Sequence, residues 1–306
     1  MQRRASGWFL FALILGADCS GVAQQLEPRA YSASPVDTTF LVVGFGRASG
    51  GVVFDPTIPI TNVEATLYSP IVGVGQTVGV FGRQGLVVAS LPYVWGHATG
   101  DVGQQAATIT RSGLGDMQIR FSLNLHGSPA LTPRKFMATR HRSFIVGTSV
   151  TVTAPTGQYD QTKLVNLGTN RWAFKPELGF SYPIQKFDFD LYLGAWFFTD
   201  NPHFYTGQSI RSQELLTSTQ AHVSYTIRRG LWAAFDATWY GGGASSTDGA
   251  PAINRQSNSR LGATVSLPLG RSQSIKVAYS SGVTARTGSN FRTLAVGWQH
   301  VWFDRH

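Results

Sequence analysis

The residues best suited to chemistry in this 306-residue chain are polar side chains that recur in step with a two-residue period. The carboxylates are Glu64, Asp116, Glu177, Asp188, Asp190 and Asp236, and the cations are Arg120, Arg171, Lys175, Arg260 and Lys276. Tyr192, Trp196, His222 and Asn258 join them as hydrogen-bonding or aromatic groups. Successive side chains of an extended strand point to opposite faces, so all of these would share one side with Gln118, Asn124 and Gln220. Charges taken out of water need partners, and near-balanced signs on neighbouring strands imply inter-strand pairs. Two uses stay open. The set is either a salt-bridged plug that fills a narrow interior, or the lining of a selective pathway or substrate site, with Tyr192, Trp196 and Phe198 as an apolar patch near one mouth.

Other chemistries find less support. His97, His126, His141, His203, His222, His300 and His306 show no ligand spacing with a nearby carboxylate, and neither a metal nor a cofactor is expected. The glycines of Val72 to Gly75 and Gly241 to Gly243 lack the lysine and Ser/Thr of a phosphate loop and read as turns or bends. Ser257 is the nucleophile to weigh, because Arg255-Gln256-Ser257-Asn258-Ser259 resembles the His-x-Ser-Asn-Gly context of outer-membrane phospholipase A, which is also twelve-stranded. Arg255 stands where that histidine would be, and a guanidinium that stays charged cannot accept the serine proton. His222 would point inward while Ser257 shares parity with Leu261 and Val265 on the other face. The chain is therefore read as a non-enzyme, with lipid hydrolysis the lesser alternative.

The elements that must carry these residues are short alternating strands. In Leu231 to Tyr240, Leu231, Ala233, Phe235, Ala237 and Trp239 oppose Asp236 and Thr238. In Lys186 to Thr199, Phe187, Phe189, Leu191, Leu193, Ala195 and Phe197 oppose Asp188, Asp190 and Tyr192. Strands greasy on one face and polar on the other, repeated until they close, satisfy the backbone in a lipid bilayer. Turn signals give about twelve strands of the ~9 to 11 residues that a tilted crossing needs. They are expected near 36–46, 62–81, 86–98, 112–125, 142–155, 170–183, 186–199, 213–228, 231–242, 256–269, 273–285 and 292–303. The second is long enough to need a bend, for which Pro70, Gly73 and Gly75 are candidates. Short connections (81–85, 183–186, 228–230, 269–272) alternate with long ones (47–61, 99–111, 156–169, 200–212, 243–255), which assigns the short ones to the periplasm. Gly127 to Arg140 is long for that side and is expected to carry a short helix from Pro133 to Thr139. The fold class is all-β, an antiparallel transmembrane barrel of residues 24–306 in one domain.

Residues 1–23 read as a signal peptide: Arg3 and Arg4, an apolar stretch from Trp8 to Ala17, then Gly21-Val22-Ala23 with cleavage after Ala23. Cys19, the only cysteine, leaves with it, so the mature chain has no disulfide. The formal charge of +9 becomes +8, because the signal contains two arginines and one aspartate. The cations lie at strand ends and turns rather than in a stripe with interleaved aromatics, so lipid phosphates are the expected partner and nucleic acid is not. The localisation implied is the bacterial outer membrane.

LVNLGTNRWAFKPELGF at Leu164 to Phe180 is similar to a signature segment of the MetA-pathway of phenol degradation family. The resemblance extends to TAPTGQYD at Thr153 to Asp160, FFTDN at Phe197 to Asn201, RRGLWAAFDATWY at Arg228 to Tyr240 and QSNSRLGATVSLPL at Gln256 to Leu269. It implies an outer-membrane barrel, often described as a transporter, with a distant likeness to channels for hydrophobic substrates such as fatty acids. The expected function is passage of small hydrophobic or aromatic compounds, with a closed structural barrel as the alternative.

Overall fold

The computed structural model describes residues 26–53, 60–102, 105–139, 142–205, 207–250 and 254–303. The expected signal peptide, its cleavage site and Cys19 lie outside the described residues, as do His141 and His306. The architecture is a closed antiparallel barrel of twelve wall positions. In chain order the strands are β1 (Thr38–Val53), β2 (Ile60–Val80), β3 (Arg83–Val102), β4 (Gln105–Leu114), β5 (Met117–His126), β6 (Ile145–Ala154), β7 (Ala173–Ile184) and β8 (Phe187–Phe198). They continue with β9 (Asn201–Phe204), β10 (Ser209–Gln213), β11 (Leu216–Arg228), β12 (Leu231–Gly242), β13 (Ser245–Thr247), β14 (Gln256–Pro268), β15 (Gln273–Thr284) and β16 (Gly288–Phe303). Closure joins first strand to last, from Thr38 opposite Phe303 to Val53 opposite Gly288, so the wall has no free end there.

β4 and β5 both pair with β3 and together fill one wall position, broken at Gly115-Asp116. β9, β10 and β13 leave the wall and form a separate three-stranded sheet from the two long connections on the far side. A helix, α1 (Pro133–Ala138), occupies the expected place in the long connection from β5 to β6.

The alternation works as expected. Phe187, Phe189, Leu191 and Leu193 of β8 are exposed, whereas Asp188, Asp190, Tyr192 and Trp196 are buried. In β12, Phe235 is 57 % exposed and its neighbour Asp236 is 0 % exposed. A period of two with apolar groups outward places acyl chains outside and polar groups within.

Three expectations need correction. The turn signals predict loops over 47–61 and 99–111, but β1 to β4 run on through most of both stretches. Beyond the bilayer an outward face meets water, so Arg47, Ser49, Thr99 and Thr108 extend the ladder without the apolar alternation that marks a crossing. Gly75 serves close packing rather than a bend: a Cβ there would overlap the Phe40 ring. The β2 to β3 ladder is interrupted opposite Ser69-Pro70, where Pro70 has no N–H to give.

Topology gives a direct test. A protease site inserted between Ala244 and Ala250 should be cut on intact cells, while one placed between Thr132 and Thr139 should be cut only after the outer membrane is opened. Protection of the first together with cleavage of the second would invert the barrel.

Candidate functional site

Residues 26–37 precede β1 and run inside the barrel, held by the inward charges. Arg29 donates from Nε to Ser224 Oγ (2.7 Å) and from Nη2 to Thr226 Oγ1 (2.7 Å), and its guanidinium pairs with Asp188 at 2.6 Å. Its backbone N–H donates to Asp190 Oδ2 at 3.2 Å, and its guanidinium carbon lies 4.7 Å from the centre of the Trp232 ring. Arg29 adopts φ 65°, a left-handed conformation uncommon for a side chain of this size, and these contacts hold the turn in it. Glu27 pairs with Arg120, which also reaches Glu177 at 3.2 Å. The Tyr31 hydroxyl donates to Glu177 Oε1 at 3.0 Å and lies 2.9 Å from Ser149 Oγ, while Ala30 N–H donates to the Tyr192 hydroxyl at 3.0 Å. Tyr31 fits because Gly147 of β6 and Gly179 of β7 lack a Cβ, which at either place would overlap its ring.

The lower end of the segment is fastened beneath the barrel. Gln84 accepts from Ser34 N–H (2.7 Å) and Ser128 Oγ (2.6 Å) and donates to Ser34 Oγ (2.6 Å), and Val36 N–H donates to Leu131 O at 2.9 Å. The long connection from β5 to β6 therefore clamps this segment through Ser128 and Leu131.

The expected inter-strand pairing is present between Arg120 of β5 and Glu177 of β7 and takes a different form elsewhere. Lys175 and Glu177 pair at 2.7 Å within a single strand, β7. Asp188 and Asp190 are not their partners: Asp188 is held by Arg29 and Arg142, and Asp190 by Ser181 and the Arg29 backbone. The N-terminal segment supplies the missing counter-charges, because a buried charge left alone is costly. On the neighbouring strands, His222 Nδ1 lies 2.7 Å from Asp236 Oδ1, and Thr264 Oγ1 donates to the other carboxylate oxygen at 2.8 Å. Arg260 donates to Ser280 Oγ and Phe291 O at 2.8 and 3.0 Å, and the Lys276 ammonium lies 5.9 Å from the centre of the Trp232 ring.

Other candidates are anchors of the outer mouth. Asp116, at the break in the fourth wall position, accepts from Gly157 N–H (2.8 Å) and from Thr169 N–H and Oγ1 (2.8 and 2.7 Å), tying down both ends of the connection from β6 to β7. Asn258 binds the β15 to β16 turn through Thr287 O (2.8 Å) and Arg286 N–H (2.9 Å). Arg171 bonds Gln213 and lies over the Phe198 ring at 4.5 Å. Glu64 is a correction: it is exposed and outward, while Val63 and Ala65 take the inner face. At that height the outer surface meets water, so a carboxylate there has no burial cost.

The interior has two unlike walls. Phe40, Val42, Ile71, Leu86, Val88 and Val301, from β1 to β3 and β16, form a continuous apolar cluster facing inward. The opposite wall carries the charge network. Above the network, Trp196, Leu216, Tyr240 and Ala173 cluster with Phe198, as the expected aromatic patch, whereas Tyr192 sits deeper against Tyr31. Beside that patch, Trp196 Nε1, Ser218 Oγ, Gln220 Oε1 and Thr238 Oγ1 are buried without a hydrogen-bond partner among the described residues. Buried polar atoms of this kind call for a water or a guest molecule. Ser257 is exposed on the outside and His222 faces inward, so the two stand on opposite sides of the wall.

Similar folds are known. The chain matches the COG4313 outer membrane channel from Pseudomonas putida F1 with a TM-score of 0.76 at 19 % identity, covering 91 % of this chain and 100 % of that one. The beta domain of the Bordetella autotransporter BrkA matches at 0.53 and 10 % identity, covering 87 % and 100 %, and the transport unit of AIDA-I from Escherichia coli at 0.51 and 12 %, covering 92 % and 94 %. No curated protein matches by sequence. At these identities the likeness establishes the outer-membrane barrel fold. The family assignment comes from the sequence itself: residues 54–298 match the family described as "Putative MetA-pathway of phenol degradation", and the chain belongs to it.

Proposed function

We propose that the protein is a passive outer-membrane channel for small hydrophobic or aromatic compounds, exported by residues 1–23 and mature from Gln24. The carrying observation is the two-walled interior: an apolar face from Phe40 to Val301 opposite hydrogen-bonding groups, topped by the Trp196, Phe198 and Tyr240 aromatics. Sites for small organic molecules combine a mostly apolar lining with a few placed polar groups, and this interior has both. The family's association with phenol degradation and the fold shared with a channel support the same reading. The docked N-terminal segment favours a closed resting state. It is held by ion pairs and hydrogen bonds and not by a covalent bond, so undocking needs no bond to break.

Uptake of a small phenol by cells tests the reading. Cells producing the wild-type protein should take it up faster than cells lacking the protein, and Trp196→Ala should slow that uptake while leaving a small charged solute unaffected. Uptake equal in producing and non-producing cells would leave a structural barrel as the better account.

A further inference from the structure

The charge of the chain is unevenly shared between the two ends of the barrel. Among the described residues, the exposed carboxylates Glu64, Asp200, Glu214 and Asp248 all lie toward the outer end. Exposed cations occur at both ends, Arg47, Lys163, Arg255, Arg286 and Arg292 among them at that one, but at the opposite end they gather without an exposed carboxylate among the described residues where two short turns meet: Lys186 between β7 and β8, and Arg228 and Arg229 between β11 and β12. The two turns are joined, since Thr226 N–H donates to Lys186 O at 2.8 Å. Among the described residues, Lys186 and Arg228 make no salt bridge to a carboxylate. Asp188, two residues along the chain from Lys186, is buried and already held by Arg29 and Arg142.

The outer wall immediately above these cations is apolar and aromatic. Phe187 and Tyr225 pack with ring centres 4.9 Å apart, both exposed, and the Lys186 ammonium lies 5.9 Å from the Tyr225 ring centre. Exposed Ile184 and Ile227 flank them. Aromatic rings at this height mark the boundary between headgroups and acyl chains, so the three cations stand at the depth of lipid phosphates.

We propose that the joined turns bearing Lys186, Arg228 and Arg229 form a binding site for an anionic glycerophospholipid of the periplasmic leaflet. The phosphodiester is held by the three cations, and its acyl chains lie along Phe187, Tyr225, Ile184 and Ile227. Charge complementarity selects an anionic lipid over a zwitterionic one, whose own ammonium is repelled by the cluster. The site depends on the barrel alone and is independent of what passes through it.

Native mass spectrometry of the whole mature protein, titrated with phosphatidylglycerol, phosphatidylcholine or lipid A, tests this. The wild type should retain phosphatidylglycerol in preference to the other two. K186Q/R228Q/R229Q should lose roughly fivefold in phosphatidylglycerol affinity per charge removed, about a hundredfold in total. The outer-end variant R47Q/R292Q should keep the wild-type preference. Equal retention of both glycerophospholipids by the wild type, tighter retention of lipid A, or an unchanged preference in the triple variant would each overturn the site.

Discussion

Deleting residues 26–36 is expected to raise the single-channel conductance of the reconstituted protein severalfold while leaving the barrel folded. No strand lies in the deleted stretch, and closure runs through Thr38 and Phe303, beyond its end. What the deletion removes is Glu27, Arg29 and Tyr31 from the interior. A point variant should act in the same direction: Tyr31→Ala loses a buried ring and the hydrogen bond to Glu177, about 3 to 5 kcal/mol by analogy with other buried aromatic truncations. Docking weakened by that much raises the undocked population more than a hundredfold until it saturates. Gly179→Ala should also open the barrel, because the added methyl overlaps the Tyr31 ring, yet it should add little once Tyr31 is already alanine. Planar-bilayer recordings decide the matter, and a deletion variant as silent as the wild type would mean that something other than this segment closes the lumen.

Phe235→Arg should lower the stability of the barrel in bilayers by about 2 to 4 kcal/mol, the cost of a cation facing lipid near the midplane. One residue on, Asp236→Asn should cost much less. Its side chain faces inward, and an amide keeps an oxygen for the Thr264 hydroxyl and a donor for the His222 ring. Denaturant titration of the protein folded into vesicles reads both, and equal losses at the two positions would show that the faces had been exchanged.

The wall was legible in the sequence wherever lipid imposes alternation. β7, β8 and β12 could be assigned face by face because Phe, Leu and Trp must stand outside while Asp and Lys cannot. Legibility failed where that constraint ends. Glu64 and the long extensions of β1 to β4 project into water, where either parity is tolerated and polar residues hide the ladder. The inward set at the centre was identified, but not its partners. Glu27, Arg29 and Tyr31 lie in a stretch without periodicity, and their contacts reach residues more than 90 positions away along the chain. The signal that could have found them is small: glycines at Gly147 and Gly179, on the inner face of adjacent strands, leave a hollow that some large side chain must fill.

If the segment inside the barrel closes the lumen as proposed, it also fixes how abundance relates to leakage. A stopper carried on the same chain as its pore is present at one copy per pore whatever the level of synthesis, so the permeability of a crowded membrane depends only on the docked fraction. Each ~1.4 kcal/mol of docking free energy lowers the open fraction tenfold. Two such steps would let a cell hold a hundred barrels with the leak of one. On that reading, the leak through these barrels rests on a handful of contacts made by Glu27, Arg29 and Tyr31.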